Sequence, residues 1–377
     1  MPGIFTIQAL AFLALYFILI LSFLTGWLRT KKYRPNRQSL STRVSILIPC
    51  RNEADHIVAL AEILNNQDYP SGLLEIIWID DHSTDSTNLL LTTLTNHYNN
   101  YNNYNNYNSY NLLLSSPLPG KKSALQSGMK AATGDLILLT DADSRPGKQW
   151  VSAMVGYFEQ SGSDLIMGPV ILDPANSAFS KIQKLEYLSL VASSIGSSGI
   201  HRPTMAQGPN IAVRASDYRE IVNDLNNRFA SGDDVFLLQS MKLKPGKKIN
   251  YILCPDAIVR SKPAASVSGF FRQRSRWASK ASGYRDPFLI FTTLIVFITN
   301  IEILAAIVAA ALGIAPFSLI LLLLGIKTLA DLPLLLIATR FFGCPVLLWW
   351  FLPVQIFYPF YIAIAGLLSQ IAPVRWK

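Results

Sequence analysis

Asp141 and Asp143 stand one residue apart at the end of an apolar run, Leu136-Ile137-Leu138-Leu139. The run suits a strand covered on both faces. In an extended segment, residues i and i+2 point the same way. Two carboxylates at a strand's carboxyl end therefore face one point, where open α/β sheets bind ligands. Two hard oxygen ligands there suit Mg2+ or Mn2+ with a bound diphosphate. The same letters, Asp-Ala-Asp-Ser followed by Arg145-Pro146-Gly147, are also good turn chemistry.

Two further acidic pairs share this placement. Asp80-Asp81 follows the strand-like Glu75–Ile79, and Asp233-Asp234 opens an apolar helical stretch. Acids at a helix start are favoured by the helix dipole and are equally placed to act as a general base. Lys121 follows Gly120 at another helix start, where it would either hold phosphate oxygens or stay solvated. Gly208 stands where backbone could approach a ligand.

The elements that must position these groups alternate. Val44–Pro49 reads as a first strand, Ala54–Leu64 as a helix and Glu75–Ile79 as a second strand, with Ser83 or Asp85 to cap the next helix. Leu112–Leu114, the helix Trp150–Glu159, a strand-like Leu165–Val170 and a helix Lys181–Ile195 follow. This order predicts a mostly parallel α/β sheet. The Asn-Asn-Tyr repeat of Asn99–Asn111 is expected to be a disordered, exposed loop extension rather than a saccharide site.

Half of the residues are hydrophobic, only 15% are charged and the mean hydropathy is +0.29, which demands membrane segments. Ile4–Leu28 carries no charge before Arg29 and no basic region in front, so it reads as a span rather than a cleaved signal. Arg29, Lys31, Lys32, Arg34 and Arg37 follow, which puts the N-terminus outside and the rest in the cytoplasm. Further spans are expected at 288–312, 317–338 and 346–370, with Arg340 cytoplasmic. Arg375 and Lys377 would then lie outside, a conflict that a re-entrant last segment with Pro353 and Pro359 would remove. Glu302, Lys327 and Asp331 fall inside these spans, and the last two can pair at i,i+4.

The net charge of +9 is concentrated at Arg29–Arg37, Lys242–Lys248 and Arg260–Arg285, beside apolar segments. That fits an anionic membrane surface, and no nucleic-acid partner is expected. Ser266–Tyr284 interleaves aromatics with arginines, as in a helix lying in the interface. Cys50, Cys254 and Cys344 are scattered, so neither a disulfide framework nor a zinc site is indicated. The expected organisation is a membrane helix (1–28), a basic linker (29–42), a soluble domain (43–262, with the insert 99–111), an interface helix (263–286) and a membrane region (287–377).

Taken in order, Asp80-Asp81, Lys121, Asp141-Ala142-Asp143, Asp233-Asp234 and Gln273-Arg274-Ser275-Arg276-Trp277 resemble the membrane-embedded family 2 glycosyltransferases. That branch includes ceramide glucosyltransferase and the cellulose, chitin and hyaluronan synthases. The resemblance covers residues 40–285 and implies an α/β GT-A fold with about four transmembrane helices. It implies that Asp80 and Asp81 contact the base and ribose, and that Pro49, Arg51 and Glu53 line the donor pocket. Lys121 matches the family's Gly-Lys segment, with Gln126 where Asn is common. Asp141 and Asp143 match the metal and diphosphate motif, with Asp143 the direct ligand of Mg2+ or Mn2+. Gly208 and Asn210 match the loop near the acceptor. Asp234 takes the catalytic base's place, behind Asp233 where Glu is usual. Gln273, Arg276 and Trp277 complete a Gln-x-x-Arg-Trp motif, with Arg276 assisting the leaving phosphate and Trp277 facing the acceptor.

The resemblance implies an integral protein of the plasma (inner) membrane with a cytoplasmic catalytic domain. Its activity would be inverting, metal-dependent transfer from a nucleotide sugar, UDP-linked by the resemblance, to a lipid or glycan acceptor. One base without a nucleophilic carboxylate suits a single displacement. About four spans are few for a polymer channel, which favours a lipid or lipid-linked acceptor. The alternatives are a processive polysaccharide synthase and a non-catalytic subunit of an export complex. A nucleotidyltransferase shares Asp-rich α/β sites but would not bring the Gln-x-x-Arg-Trp helix.

Overall fold

A computed structural model describes residues 2–36, 40–104, 110–223 and 232–371. The elements begin α1 (Pro2–Arg29), β1 (Val44–Cys50), α2 (Ala54–Asn65), β2 (Leu74–Asp80), α3 (Thr87–Tyr104), β3 (Tyr110–Ser115), α4 (Lys121–Ala131), β4 (Leu136–Leu139) and β5 (Arg145–Pro146). Then come α5 (Trp150–Ser161), β6 (Leu165–Met167), β7 (Val170–Leu172), α6 (Ala178–Gly199), β8 (Ile211–Arg214), α7 (Ala215–Ile221), α8 (Asp233–Leu243), β9 (Ile249–Tyr251) and β10 (Val259–Ser261). The chain continues with α9 (Val267–Ala278), α10 (Pro287–Ala311), α11 (Phe317–Phe341) and α12 (Phe351–Ile371). They divide into two compact units.

The α/β unit is formed by Lys31–Asp173 and Met205–Lys262. Its main sheet has the order β3-β2-β1-β4-β8-β6-β9. The first four strands are parallel, and β8 runs antiparallel to both β4 and β6. Ile46, Leu47 and Ile48 of β1 and Leu136, Ile137 and Leu138 of β4 are fully buried, as strands covered on both faces must be. α2 buries Ile57, Leu60, Ala61 and Leu64, the i, i+3, i+4, i+7 stripe of an amphipathic helix. Because β2 lies on one side of β1 and β4 on the other, the order reverses at β1, the switch point where such sheets hold ligands.

Two local expectations fail in this unit. The run Leu165–Val170 is not one strand, because β6 joins the main sheet while β7 joins a small sheet of order β5-β10-β7. Gly168 and Pro169 make the break, and a Cβ on Gly168 would lie 2.3 Å from the Asn210 side chain. The Asn/Tyr repeat is not wholly a loop either: α3 runs on to Tyr104 and β3 starts at Tyr110. Asn99 clamps that strand, donating to Asn111 O at 2.8 Å and accepting from Asn111 N at 2.9 Å. The rest of the repeat, 105–109, lies outside the described residues, as do Arg37, Arg375 and Lys377.

The second unit combines Met1–Thr30, Pro174–Thr204 and Pro263–Pro373. Among the described residues it contains four helices long and apolar enough to cross a membrane, Thr6–Arg29, Pro287–Ala311, Phe317–Phe341 and Pro345–Gln370. The last is a short 3-10 turn followed by the continuous α12, which passes through Pro359. α6 belongs here and not to the α/β unit, against the expected 43–262 boundary. Its glycines explain why. A Cβ on Gly26 of α1 would lie 1.9 Å from Gly196 O, and one on Gly199 would lie 1.9 Å from Gly26 O, so the backbones meet directly.

The charged side chains of Glu302, Lys327 and Asp331 inside these helices are all hydrogen-bonded. Gln8 donates to Glu302 at 3.0 Å. Lys327 donates to Asp331 at 2.8 Å and to Gln355 at 2.6 Å, and Tyr16 donates to Asp331 at 2.6 Å. The network joins α1, α11 and α12, as the cost of an unpaired charge in hydrocarbon requires.

Candidate active site

The carboxyl ends of β1, β2 and β4 converge on one acidic cluster. Arg51 leaves β1 and reaches Asp81 at 3.4 Å. Asn52, in the left-handed region at φ 54°, accepts from Thr84 N at 2.8 Å, and Asp81 N donates to Cys50 O at 2.8 Å. These bonds lace the first two strand ends together. Asp85 accepts from Thr87 N at 2.9 Å at the start of α3, while Ser83 accepts from Asn52 N at 3.0 Å.

Asp81 is fully buried, and both its oxygens accept from Gly120 N at 2.9 Å. Gly120 precedes α4 at φ 122°, ψ 141°, a region open in practice only to glycine. Asp81 therefore fixes the turn that delivers Lys121. Lys121 Nζ donates to Asp141 Oδ1 at 2.7 Å and stands 3.1 Å from Asp233 Oδ2. Burial alone would lower the Lys121 pKa, but the flanking carboxylates of Asp141 and Asp233 hold its ammonium above the ordinary lysine value.

Asp233 and Asp234 open α8 behind Gly232, which takes φ 98°. Asp233 is buried and Asp234 half-buried. A Cβ on Gly208 would stand 3.5 Å from Asp234 Oδ2, so the Gly208 backbone faces that carboxylate. Behind the cluster lies Tyr218, whose buried hydroxyl has no hydrogen-bond partner among the described residues. Burial raises its pKa, and neighbouring Asp233 adds to the shift. A tyrosine mid-helix gives no sequence signal of that position.

Asp141 and Asp143 do sit at the end of β4, but not in extended backbone. Ser144 N donates to Asp141 O at 3.0 Å, so the two acids belong to a turn. The turn chemistry and the acidic placement hold together. Two carboxylates beside a diphosphate are a donor set that suits Mg2+ or Mn2+, which keep water and phosphate ligands. Among the described residues no group of three His, Cys, Asp or Glu side chains would hold a metal by itself.

The remaining expected donor residues surround the same strand ends. Pro49 is buried inside β1. Glu53 is buried, its N–H donating to Thr87 at 2.8 Å and its carboxylate 2.7 Å from His56. Asp80 accepts from Asn88 at 3.2 Å through Oδ2, while its buried Oδ1 has no partner among the described residues. Asn210, expected in the loop near the acceptor, has a structural role. It is fully buried, donates to Pro169 O and Ala257 O at 2.8 Å each and accepts from Trp150 at 2.9 Å. Its amide staples β8 to neighbouring loops and cannot face solvent.

Gln273, Arg276 and Trp277 lie on α9 in the helical unit. α9 is not simply an interface helix with solvated arginines. Arg274 is only 2% exposed and is paired with Glu186 of α6, itself 4% exposed. Sequence spacing had singled out neither partner.

The glycosyl transferase family 2 model matches residues 45–220, and the glycosyl transferase family group 2 model matches residues 136–364. The chain is 27% identical over 258 residues to the probable glycosyltransferase YdaM of Bacillus subtilis, covering 66% of this chain and 57% of that protein. It is 29% identical over 132 residues to the beta-monoglucosyldiacylglycerol synthase of Nostoc sp., covering 35% of this chain and 27% of that one. The chain thus spans little more than half the length of YdaM and about a quarter of the synthase. In fold it is similar to mannosyltransferase PcManGT from Pyrobaculum calidifontis, solved with GDP-Man and Mn2+, at TM-score 0.63 and 17% identity over 98% of each chain.

Proposed function

We propose that this chain, which belongs to the family 2 glycosyltransferases and has a GT-A fold, takes a nucleotide sugar as donor and moves one sugar, with inversion, onto a lipid or lipid-linked acceptor at the cytoplasmic face of the inner membrane. The observation that carries this reading is the Lys121 bridge, which brings the acid after β4 and the acids opening α8 to one ammonium.

The donor would lie across the ends of β1, β2 and β4. The unpartnered Asp80 Oδ1 would accept from a donor hydroxyl, which would end its isolation. Asp81 keeps the Gly120–Lys121 turn in place, and Lys121 would meet the diphosphate. Asp141 and Asp143 would hold Mg2+ or Mn2+, which when bound supplies positive charge against the diphosphate. Asp234 would take the proton from the acceptor hydroxyl as its oxygen bonds to the anomeric carbon. The bond from that carbon to the phosphate oxygen breaks, and nucleoside diphosphate leaves. Arg276 is proposed to stabilise that leaving charge and Trp277 to face the acceptor, on the Gln-x-x-Arg-Trp pattern alone.

A lipid acceptor is supported by the four apolar helices and by a relative named for diacylglycerol glucosylation. The test is nucleoside diphosphate release by the purified protein in lipid bilayers, over a panel of UDP- and GDP-sugars with Mn2+. The reading expects release with one donor and the labelled sugar in a lipid-extractable product carrying a single residue. A ladder of polymer would replace single transfer by processive synthesis. No release with any donor would leave a non-catalytic subunit.

A further inference from the structure

We propose that Arg274, held by Glu186, is a positioning residue that fixes Gln273 and Trp277 for the acceptor step. The inference rests on the reading of Trp277 given under the proposed function, and it deepens that reading.

The geometry is confined to the helical unit. Arg274 Nε donates to Glu186 Oε1 at 3.3 Å and Nη2 donates to Oε2, a two-pronged pair between α9 and α6. Arg274 Nη1 donates to Gln273 Oε1 at 2.7 Å. The guanidinium carbon Cζ lies over two rings, 4.1 Å from the Trp277 centroid and 4.6 Å from that of Phe270. Tyr361 of α12 donates to Glu186 Oε1 at 3.1 Å. One side chain thus touches both neighbours in the motif, and its own counter-ion is anchored from two other helices.

A buried ion pair is a poor source of stability. Removing two charges from water costs about as much as their attraction returns, and apolar replacements of the same volume are often neutral or stabilising. What this pair supplies is direction. Burial would weaken the Arg274 charge, but Glu186 holds its pKa above the ordinary value, so the fork stays protonated and planar. A planar cation stacked on an indole and bonded to the adjacent amide fixes two rotamers that a lysine or an apolar chain would leave free. The buried Glu186 carboxylate of α6 is held in turn by Tyr361 of α12, so the fork it meets is fixed from outside α9.

The test is the double variant Glu186→Leu/Arg274→Met, which removes both charges together and leaves only two neutral groups, the Tyr361 hydroxyl and the Gln273 amide oxygen, to find other partners. It is expected to fold with a thermal midpoint close to the wild type. Its kcat/KM for acceptor should fall about 10-fold to 100-fold, with the donor KM unchanged. Should the double variant fail to fold, Arg274→Lys, which keeps the charge without the fork, is expected to show the same acceptor defect. A second readout needs no turnover: the Trp277 fluorescence, taken as wild type minus Trp277→Phe, should become more open to acrylamide quenching in the Arg274 variants. Wild-type acceptor kinetics or unchanged Trp277 quenching in these variants overturns the proposal. An inactive wild-type protein would count against the proposed function alone, because the quenching still decides the positioning.

Discussion

Lys121 reaches Asp141 at 2.7 Å and Asp233 at 3.1 Å, so a single ammonium ties the end of β4 to the start of α8. Replacing it by methionine leaves two carboxylates facing each other without a cation. Lys121→Met is expected to lose sugar transfer and about 2 kcal/mol of stability. The Lys121 pKa is raised, so its contribution is fully present below the ordinary lysine value and is lost only as alkaline pH passes the raised one. The gap in thermal midpoint between the variant and wild type should therefore stay flat from about pH 6 to about pH 9.

Gly120 holds φ 122° while its N–H feeds Asp81. An alanine cannot adopt that backbone without strain of about 1–3 kcal/mol. Gly120→Ala should raise the donor KM by shifting Lys121, and it should lower the thermal midpoint. A donor titration beside a melting curve checks both.

Asp164 accepts from Arg214 at 3.0 Å and from Lys248 N at 2.9 Å. Burial would raise its pKa, but these donors hold it below the ordinary 3.8. A lowered carboxylate pKa stabilises the fold above the ordinary value and loses that contribution as pH falls through the lowered one. Asp164→Asn should cost about 1 kcal/mol at neutral pH. The difference from wild type should close on acidification below 3.8, as read by denaturant midpoints across pH.

Asp143→Asn removes one of the two carboxylates proposed to hold the cation. The Mn2+ concentration for half-maximal transfer should rise by at least about tenfold. The melting temperature measured without metal should stay close to wild type, since no other described residue is seen to depend on that side chain.

The sheet is legible because its strands are short apolar runs, β2 and β4 leading into acids, and β1, β2 and β4 fall within a residue or so of their expected bounds. The four long apolar helices found among the described residues are legible from length and apolarity. α6 is legible as a helix but not as part of the helical unit, because a run such as Leu185–Ile195 looks the same in a soluble core and in a helical bundle. Only the close approach of Gly196 and Gly199 to Gly26 distinguishes the two, and that is a tertiary fact. The bonds that enclose Asn210, from Trp150 and to Pro169 and Ala257, join distant parts of the chain and leave no local signal. The pair Glu186–Arg274 lies 88 residues apart, so no local spacing could join it.

The central claim is that Asp234 takes the acceptor proton in a single displacement. The most direct measurement is nucleoside diphosphate release by Asp234→Asn beside wild type, with donor affinity followed by isothermal titration. The account predicts a loss of about 10²- to 10⁴-fold in turnover with donor affinity intact. Turnover at the wild-type rate in Asp234→Asn would contradict it.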